Sequence, residues 1–444
     1  MKWTFFIALM CSLMTTAQAE DIILTVYNRD LAVVKIADEM NFKKGRQTIS
    51  LTGVADRIDP TSVRFSTGRD DVSIIEQNYR YDLVNSAKIL QRYIDNTVTV
   101  RLKEGEMIEG TLLSAAGDVV IKSCEGKLNI ISVDAVERYE FPDLPEGLIT
   151  RPTLFWDMYS KKEARTPTEI SYMTAGVSWH AEYTAVVGDD DTSLELSSWV
   201  SVENNSGTTF DDAVLKLVAG DIHRAPQAQP EFGKRMMLAE TDAAPRGFEE
   251  RGLFEYHLYE LQQKTTISNA EIKQISLFDP VSTGVAKLFV YDIHRNPAKV
   301  AVAVEFVNAE QDGLGMPLPA GTVRVYKRDT DSGLELIGED AIGHTPKNEK
   351  VRLNLGYAFD IVGERRVVES KRISQRVRED NVEISLRNRK DEPVQIIAVE
   401  HLRGDWDVRD SSHKHTKNDA RTIEFTVTVK QDSETVITYT VRYR

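Results

Sequence analysis

The sequence predicts an all-β fold that is divided into several domains, most of them β-sandwiches. Short runs rich in β-branched and aromatic residues fill most of the chain, and Asn, Asp, Gly and Pro separate them. Convincing helical spacing is found in the segment SAKILQRYI, and beyond residue 100 no long amphipathic helix is evident. The length suggests about three domains of ~100–200 residues each.

The first mature segment, residues 20–82, is predicted to be an N-terminal β domain. It contains the runs IILTVYN, LAVVKIA, GRQTISLTGV, TSVRFST and DVSIIEQNY. In the first run, Leu24 and Val26 share one face of the strand while Thr25 and Tyr27 share the other.

Residues 83–142 have a different rhythm, in which a short helix leads into five strand candidates. Gly110 lies where a strand must bend sharply, as in a small barrel of the Sm or SH3 type. Such barrels often bind RNA, but an acidic, exported chain disfavours that use, so we favour a structural or self-associating barrel.

The segment PDLPEGLITRP, residues 142–152, is a Pro- and Gly-rich connection and a predicted domain boundary. After it we expect a central β-sandwich over residues 153–340. Residues 226–252 interrupt that sandwich. They show no hydrophobic periodicity, which predicts a long flexible excursion. The last unit, residues 345–444, is predicted to be an immunoglobulin-like β-sandwich.

The first 19 residues have the pattern of a secretory signal peptide. Lys2 is followed by an apolar run too short to span a bilayer, and Ala17-Gln18-Ala19 is a small-residue cleavage site. Met10 precedes Cys11, which argues against a lipoprotein. No later segment has the length and apolar character of a membrane helix. We therefore expect cleavage after Ala19 and a soluble periplasmic or secreted product.

The chain is acidic, with a formal net charge of −14, and the loss of Lys2 takes the mature form to −15. This balance argues against general binding to nucleic acid or anionic membranes. Cleavage also removes Cys11 and leaves Cys124 as a single cysteine, so no internal disulfide is expected. We interpret Cys124 as a half-buried core or turn thiol rather than a nucleophile, since no histidine or base pattern flanks it.

A set of ordered features resembles the domain-of-unknown-function 4139 family, some of whose members are called mucoidy-inhibitor-A-like. The features are Ser178-Trp179 with Tyr183, Trp199 with Asn204-Asn205-Ser206-Gly207, Leu217 with Ala219-Gly220-Asp221, and Leu318-Pro319-Ala320-Gly321. The resemblance covers most of the mature chain, roughly residues 22–444, and implies an exported, β-rich protein. It brings no agreed catalytic residues. We interpret Trp179, Tyr183 and Trp199 as packing anchors and residues 204–207 as a turn.

Glu255, His257 and Tyr259 form the best acid–base candidate, because alternate residues of a strand share a face. A solvated polar face of a sandwich is the favoured alternative. Three weaker candidates for ligand or metal binding are Trp179-His180, Asp189-Asp190-Asp191, and His413 with His415. The favoured alternatives are, in the same order, a histidine that faces outward, a solvated hairpin turn and an exposed loop.

Arg366, Arg372, Arg376 and Arg378 lie on one face if their segment is extended. This arginine stripe is a candidate for contact with an anionic glycan or lipid head group, against the alternative of a solvated strand. The chain lacks the nucleophile elbow, the P-loop, the zincin motif, the dinucleotide fingerprint and the C-x-x-C pair.

We therefore expect an exported, non-catalytic binding or scaffold protein of the bacterial cell envelope. No catalytic, cofactor-binding or metal-ligating residue is assigned, and the expected partner is an envelope protein or a glycan, not nucleic acid. The alternatives are an envelope-polymer hydrolase that uses the Glu255, His257 and Tyr259 face, and an anionic-ligand binder that uses the arginine stripe. The sequence sets no oligomeric state.

Overall fold

The computed structural model describes residues 21–143, 145, 148–220, 248–329 and 333–444. Their regular secondary structure is almost entirely β-strand, so the predicted all-β, multi-sheet fold is confirmed. The predicted signal peptide lies outside the described residues. None of the helices found in the described ranges has the length and apolar character needed to cross a membrane.

The N-terminal strands alternate buried and exposed side chains, as expected for strands with one face on a core. Strand β2 shows this most clearly, since Ala32, Val34 and Ile36 are buried while Lys35 and Ala37 are exposed. The strands are β1 (Asp21–Tyr27), β2 (Ala32–Phe42), β3 (Gly45–Thr52), β4 (Ile58–Ser66) and β5 (Val72–Arg80).

The segment predicted as a barrel forms one helix and a five-stranded sheet around a small core of its own. Asn85 caps the helix by accepting a hydrogen bond from the backbone N–H of Lys88 at 2.9 Å. A 3₁₀ turn, Val133–Ala135, precedes the last strand. The elements are α1 (Ser86–Arg92), β6 (Thr97–Leu102), β7 (Met107–Ser114), β8 (Val119–Ser123), β9 (Leu128–Ile131) and β10 (Val136–Glu140).

The order of this small sheet is β10-β6-β7-β8-β9, and the described pairings leave it open. The predicted barrel closure is therefore wrong, because the end strands β9 and β10 each pair with a single neighbour. Gly110 does mark a crowded point of β7, as a Cβ atom there would lie 2.4 Å from the carbonyl oxygen of Lys122.

The next strands return to the N-terminal ones. They are β11 (Thr153–Ser160), β12 (Ala164–Thr174), β13 (Val177–Val187), β14 (Ser193–Asn204) and β15 (Phe210–Ala219). Strand β1 pairs with β2 and, in parallel, with β15, while β12 pairs with β2 along its full length. Strand β11 lies between β3 and β5.

These pairings differ from the predicted division into an N-terminal domain, 20–82, and a central sandwich, 153–340. Strands from both segments share one sheet and one large core, in which Leu24, Trp156, Trp179 and Leu353 all take part. The two segments form one unit because their apolar faces are buried against each other.

The structure also corrects the predicted excursion, 226–252. Residues 226–247 lie outside the described residues, but the last five belong to strand β16, which forms a hairpin with β17. The strands of this region are β16 (Phe248–Leu253), β17 (Tyr256–Leu261), β18 (Thr265–Ile267), β19 (Glu271–Gly284), β20 (Ala286–Asp292), β21 (Lys299–Val307), β22 (Gly321–Arg328), β23 (Leu334–Ile342) and β24 (Lys350–Arg372), with a 3₁₀ turn at Glu310–Asp312.

The sheets of the central region follow from these strands. Strands β16, β17 and β15 extend the sheet of β1, β2, β12 and β4, and β18 pairs with β15. A second sheet has the order β19-β14-β13-β22-β23. Trp179 and Tyr183 of β13 are buried between these layers.

The C-terminal unit is a row of nine strands folded around a second core. Its order is β27-β30-β25-β24-β21-β20-β26-β29-β28, so β20 and β21 join it from outside the predicted range 345–444. The remaining strands are β25 (Arg378–Asn388), β26 (Val394–His401), β27 (Trp406–Ser411), β28 (His415–Lys417), β29 (Thr422–Val429) and β30 (Ser433–Tyr443).

Candidate functional site

Glu255, His257 and Tyr259, the predicted acid–base candidate, do not share one face of a strand in the structure. Glu255 lies in the exposed turn between β16 and β17, beside Phe254, whose φ of 58° is left-handed. Tyr259 is buried, its ring lies edge-on to Trp179, and its hydroxyl donates to the carbonyl oxygen of Pro317 at 2.8 Å. The prediction that three polar side chains share one solvated face is therefore wrong.

His257 keeps an acidic neighbour, but it is Glu250 of the adjacent strand. Its Nδ1 lies 2.7 Å from Oε1 of Glu250, and both side chains are part-exposed. Burial, followed by the charge of Glu250, raises the pKa of Tyr259, so this phenol stays protonated at neutral pH. In the described part of the chain, no hydroxyl or thiol forms a hydrogen bond with His257, so a nucleophile–base pair is not formed there.

The arginine stripe is also not one surface. Strand β24 ends at Arg372 and β25 begins at Arg378, so a hairpin turn interrupts the extended segment. Arg366 forms an ion pair with Glu383 at 2.6 Å, and Arg378 forms one with Asp380 at 2.8 Å. Two of its four charges are therefore neutralised within the protein.

The aromatic anchors divide by the side of the strand on which they lie. Trp179 and Tyr183 are buried, and they donate hydrogen bonds to the carbonyl oxygens of Val218 and Pro319. Trp199 is 40% exposed, because it lies opposite Glu182 on the outer face of β14. Its interpretation as a packing anchor is therefore wrong.

The remaining candidates form local contacts. His180 is exposed, and Asp190 accepts a hydrogen bond from the backbone N–H of Thr192 at 3.0 Å within its turn. His413 contacts the hydroxyl of Ser412, and His415 lies beside the ring of Phe425. Within the described ranges no group of three or more His, Cys, Asp or Glu side chains is arranged to hold a metal ion.

Cys124 lies in a turn and is exposed, not half-buried. The turn between β8 and β9 carries it away from the small core, whose buried members come from the strands themselves and from Tyr93.

A cleft of about 630 Å³ opens where the N-terminal strands meet the turn after β14; we call it the junction cleft. Its mostly buried lining, the floor, is apolar and comes chiefly from strands of the large core. Its mostly exposed lining, the rim, is polar and comes from loops and from strand ends. The floor contains Ile22, Val34, Ile36, Leu51, Val54, Tyr172 and Phe210, and the rim contains Thr52, Asp56, Thr150, Arg151, Thr208, Thr209, Asp211 and Asn269.

Hydrogen bonds between distant segments brace this rim. The Thr208 hydroxyl donates to the carbonyl oxygen of Gly53 at 2.9 Å. The backbone N–H of Gly53 donates to the carbonyl oxygen of Pro152 at 2.9 Å. The backbone N–H of Gly207 donates to Oδ1 of Asn269 at 3.0 Å. The walls are therefore fixed relative to one another, which is typical of largely preformed binding sites.

Asp56 is the chemically distinctive residue of the rim. Partial burial raises the pKa of its carboxyl group, although solvent still reaches it. The described residues give this carboxylate neither a hydrogen bond nor an ion pair. A Cβ atom on Gly207, whose φ is +90°, would lie 2.2 Å from the Asp56 carboxyl, so glycine is required there.

Asn204 explains why the turn beside the cleft is so well fixed. Its buried side chain donates to the carbonyl oxygens of Thr208, Ile267 and Ser268 at 2.9–3.1 Å and accepts from the backbone N–H of Ser206 at 3.1 Å. The sequence pattern indicates a turn here, but it contains no sign that residues 267 and 268 also bind the amide of Asn204.

The family match follows this geometry along the chain. Residues 168–444 match the family model of the domain of unknown function DUF4139. The chain belongs to the DUF4139 family. Comparison with curated proteins finds no match.

The DUF4139 match begins inside β12 and therefore includes Tyr172, Gly207 and Phe210 of the cleft lining. Leu51, Asp56 and Arg151 of the lining come from residues before the match. The cleft is thus built from the DUF4139 region and from the strands that precede it.

Proposed function

We propose that this DUF4139 protein is an exported, non-catalytic binding protein of the bacterial cell envelope, with the junction cleft as its ligand site. The observation that carries the proposal is the cleft itself, a braced cavity of about 630 Å³ with an apolar floor and a polar rim. Export is supported by the signal-peptide pattern of the first 19 residues.

The lining defines the chemistry of a ligand. Apolar side chains such as Val34 and Phe210 favour a partner with an apolar portion, since such contacts remove apolar surface from water. The Asp56 carboxylate and the threonine hydroxyls favour hydrogen-bond donors at its edge. A cationic group is expected at Asp56, because a positive charge there would stabilise the ionised form of this partly desolvated carboxyl group.

Site-specific photo-crosslinking in intact cells tests this proposal. A photoreactive residue at Thr209, on the rim, is expected to capture a partner, whereas one at Thr416, an exposed threonine of β28, is not. The filling variant Thr52→Trp should abolish capture at position 209 without unfolding the protein. Equal capture at both positions, or capture that survives the filling, would contradict the proposal.

A hydrolase remains the second candidate, now centred on His257 and Glu250. The 2.7 Å contact between the two side chains is the observation that favours it, because a carboxylate can orient an imidazole as a base. Release of reducing ends from isolated envelope polymers measures the activity. Loss of release in His257→Ala but not in the control His180→Ala would support the hydrolase. Absence of release by the natural chain would exclude it.

A further inference from the structure

A second concave surface, which shares no lining residue with the junction cleft, lies between the sheet of β22 and the C-terminal nine-stranded row. It is a groove of about 290 Å³, and we call it the lysine groove. Its chemistry differs from that of the junction cleft, because aromatic rings and ammonium groups dominate it. The residues that matter are Lys287, Phe289, Lys327, Tyr357, Phe359 and Lys390.

A large bulge in β24 exposes one of these rings. Tyr357 pairs with Ala301 and Val362 pairs with Lys299, so residues 358–361 of β24 lie opposite a single residue of β21. Bulges of this kind redirect side chains. Here the bulge leaves Phe359 96% exposed, whereas Ile361, two residues later, is buried in the second core.

The ammonium groups are held in place around the groove floor. The Nζ atoms of Lys287 and Lys390 lie 5.6 Å and 5.8 Å from the ring centroid of Phe289. Their side chains are only 31% and 27% exposed, so packing has already limited their freedom. An anion that binds there would therefore cost these lysine side chains little additional conformational entropy.

Asp191 positions two of the cations without cancelling the charge of the groove. It forms ion pairs with Lys287, at 2.8 Å, and with Lys327. Burial opposes its ionisation, but the two lysines outweigh burial and hold the pKa of this carboxyl below its ordinary value. Lys390 forms a longer ion pair with Glu392, at 3.6 Å. Three lysines thus face two carboxylates in a chain whose overall charge is −14, so the groove keeps an excess of positive charge that is complementary to anions.

The side chains of the groove, rather than its main chain, set the chemistry of a ligand. Strands β20 and β21 have a neighbour on both sides in the nine-stranded row, whereas β24 pairs with β21 up to Tyr357 and again at Val362, and with β25 from Ile361 onward. The exposed ring faces and the ammonium groups suit a sugar ring whose C–H face packs on an aromatic ring and whose carboxylate meets a lysine.

We propose that the lysine groove binds an acidic, carboxylate-bearing polysaccharide, with a sugar ring on Phe359 and Tyr357 and its carboxylates at Lys390 and Lys287. This site is separate from the junction cleft, and neither proposal depends on the other.

Binding of polygalacturonate to the purified chain tests the proposal, with neutral dextran as the comparison polymer. Phe359→Ala is expected to weaken binding at least about tenfold, as for other exposed ring anchors. Phe254→Ala, a change at a 91% exposed phenylalanine outside the groove, is the matched control and should leave affinity unchanged. Lys390→Met should weaken binding and flatten its decline with salt.

Three results would overturn the proposal. They are equal affinity for dextran and polygalacturonate, equal losses in Phe359→Ala and Phe254→Ala, and tighter binding of poly-glutamate than of polygalacturonate. The last would assign the groove to an acidic protein segment. Thermal unfolding of each variant verifies that the fold is intact, which is expected because Phe359 contributes no buried surface.

Discussion

At the scale of single residues, the second core contains a fully paired buried charge. Glu400 is 1% exposed, and both of its carboxylate oxygens lie 2.9 Å from Nε of Arg365. The hydroxyl of Tyr439 donates to the same carboxylate. Burial and the charge of Glu400 raise the pKa of Tyr439, which keeps this donor protonated.

The first prediction concerns this pair. Arg365→Met should lower the free energy of unfolding by about 3–5 kcal/mol, because it leaves Glu400 buried without a counter-charge. The double variant Arg365→Met, Glu400→Met should recover most of that loss, since an apolar pair needs no compensation. Urea unfolding measures both values, and a double variant as unstable as the sum of the single ones would refute the argument.

The second prediction concerns Asp56 and pH. Burial raises its folded-state pKa, so ionisation destabilises the fold, and the stability present below the unfolded-state pKa of about 3.9 is lost as pH rises through the folded-state value. Asp56→Asn should therefore be more stable than the natural chain at pH 7. The two proteins should converge near pH 3, and an advantage that persists there would contradict this explanation.

At the scale of elements, two buried asparagines do the same work at the ends of two strands. Asn388 closes β25 as Asn204 closes β14. Each donates to the carbonyl oxygen four residues later and to two carbonyls of one distant segment, and each accepts from the N–H two residues later. The two sandwiches thus share a corner in which one amide replaces missing strand partners.

The third prediction follows from that equivalence. Asn204→Ala and Asn388→Ala should each cost about 2–4 kcal/mol of unfolding free energy, because each leaves buried carbonyl groups without a donor. Asn205→Ala, at an exposed neighbour, is the control and should change stability by less than ~0.5 kcal/mol. Similar costs for Asn205 and Asn204 would show that the corner adds no stability.

These elements also show what the sequence can and cannot predict. The sequence identified β1, β2 and β13 as strands and showed which residues of β1 share a face, because the side-chain period depends only on local geometry. It could not identify their partners, since any strand with an apolar face can pair with any other. Alternation also failed at Glu255, which does not share a strand face with His257. The hairpin turn between β16 and β17 places Glu255 outside the strand.

The candidate sites were beyond sequence reasoning for a related reason. The junction cleft combines β2, the Asp56 loop and the turn at Gly207, which are far apart along the chain. The bulge that exposes Phe359 leaves the alternating pattern of β24 almost unchanged. The sequence contained two weak signals of these sites. One is the Asn-Ser-Gly turn beside the junction cleft, and the other is Gly356, a glycine within β24 whose φ is +128°.

At the scale of the whole molecule, the described residues form three cores that are joined unequally. Strand β24 contributes Leu353 to the large core and Ile361 to the C-terminal core, and β21 likewise contributes Val304 and Val300, so two strands join these units. The small core of the five-stranded sheet shares no strand with either. It is connected through the bridge between Leu83 and Ile149.

The fourth prediction tests this inequality. Gly110→Ala should destabilise the five-stranded sheet by about 1–3 kcal/mol, because the added Cβ meets the backbone of β8. Hydrogen exchange should accelerate over residues 97–140 and stay unchanged over residues 153–220. Faster exchange throughout the chain would mean that the small sheet and the large core unfold together.

The parallel pairing of β1 with β15 has a consequence for the order in which the protein can be made. Strand β1 finds one partner, β2, at once, but Ile23 also pairs with Val214, so almost half the chain must be made before the second partner of β1 exists. Contacts this distant slow folding, because a long loop must close before they form. Nascent chains that stop before β12 should therefore stay unfolded in their first two strands, and the N-terminal sheet should form late in synthesis.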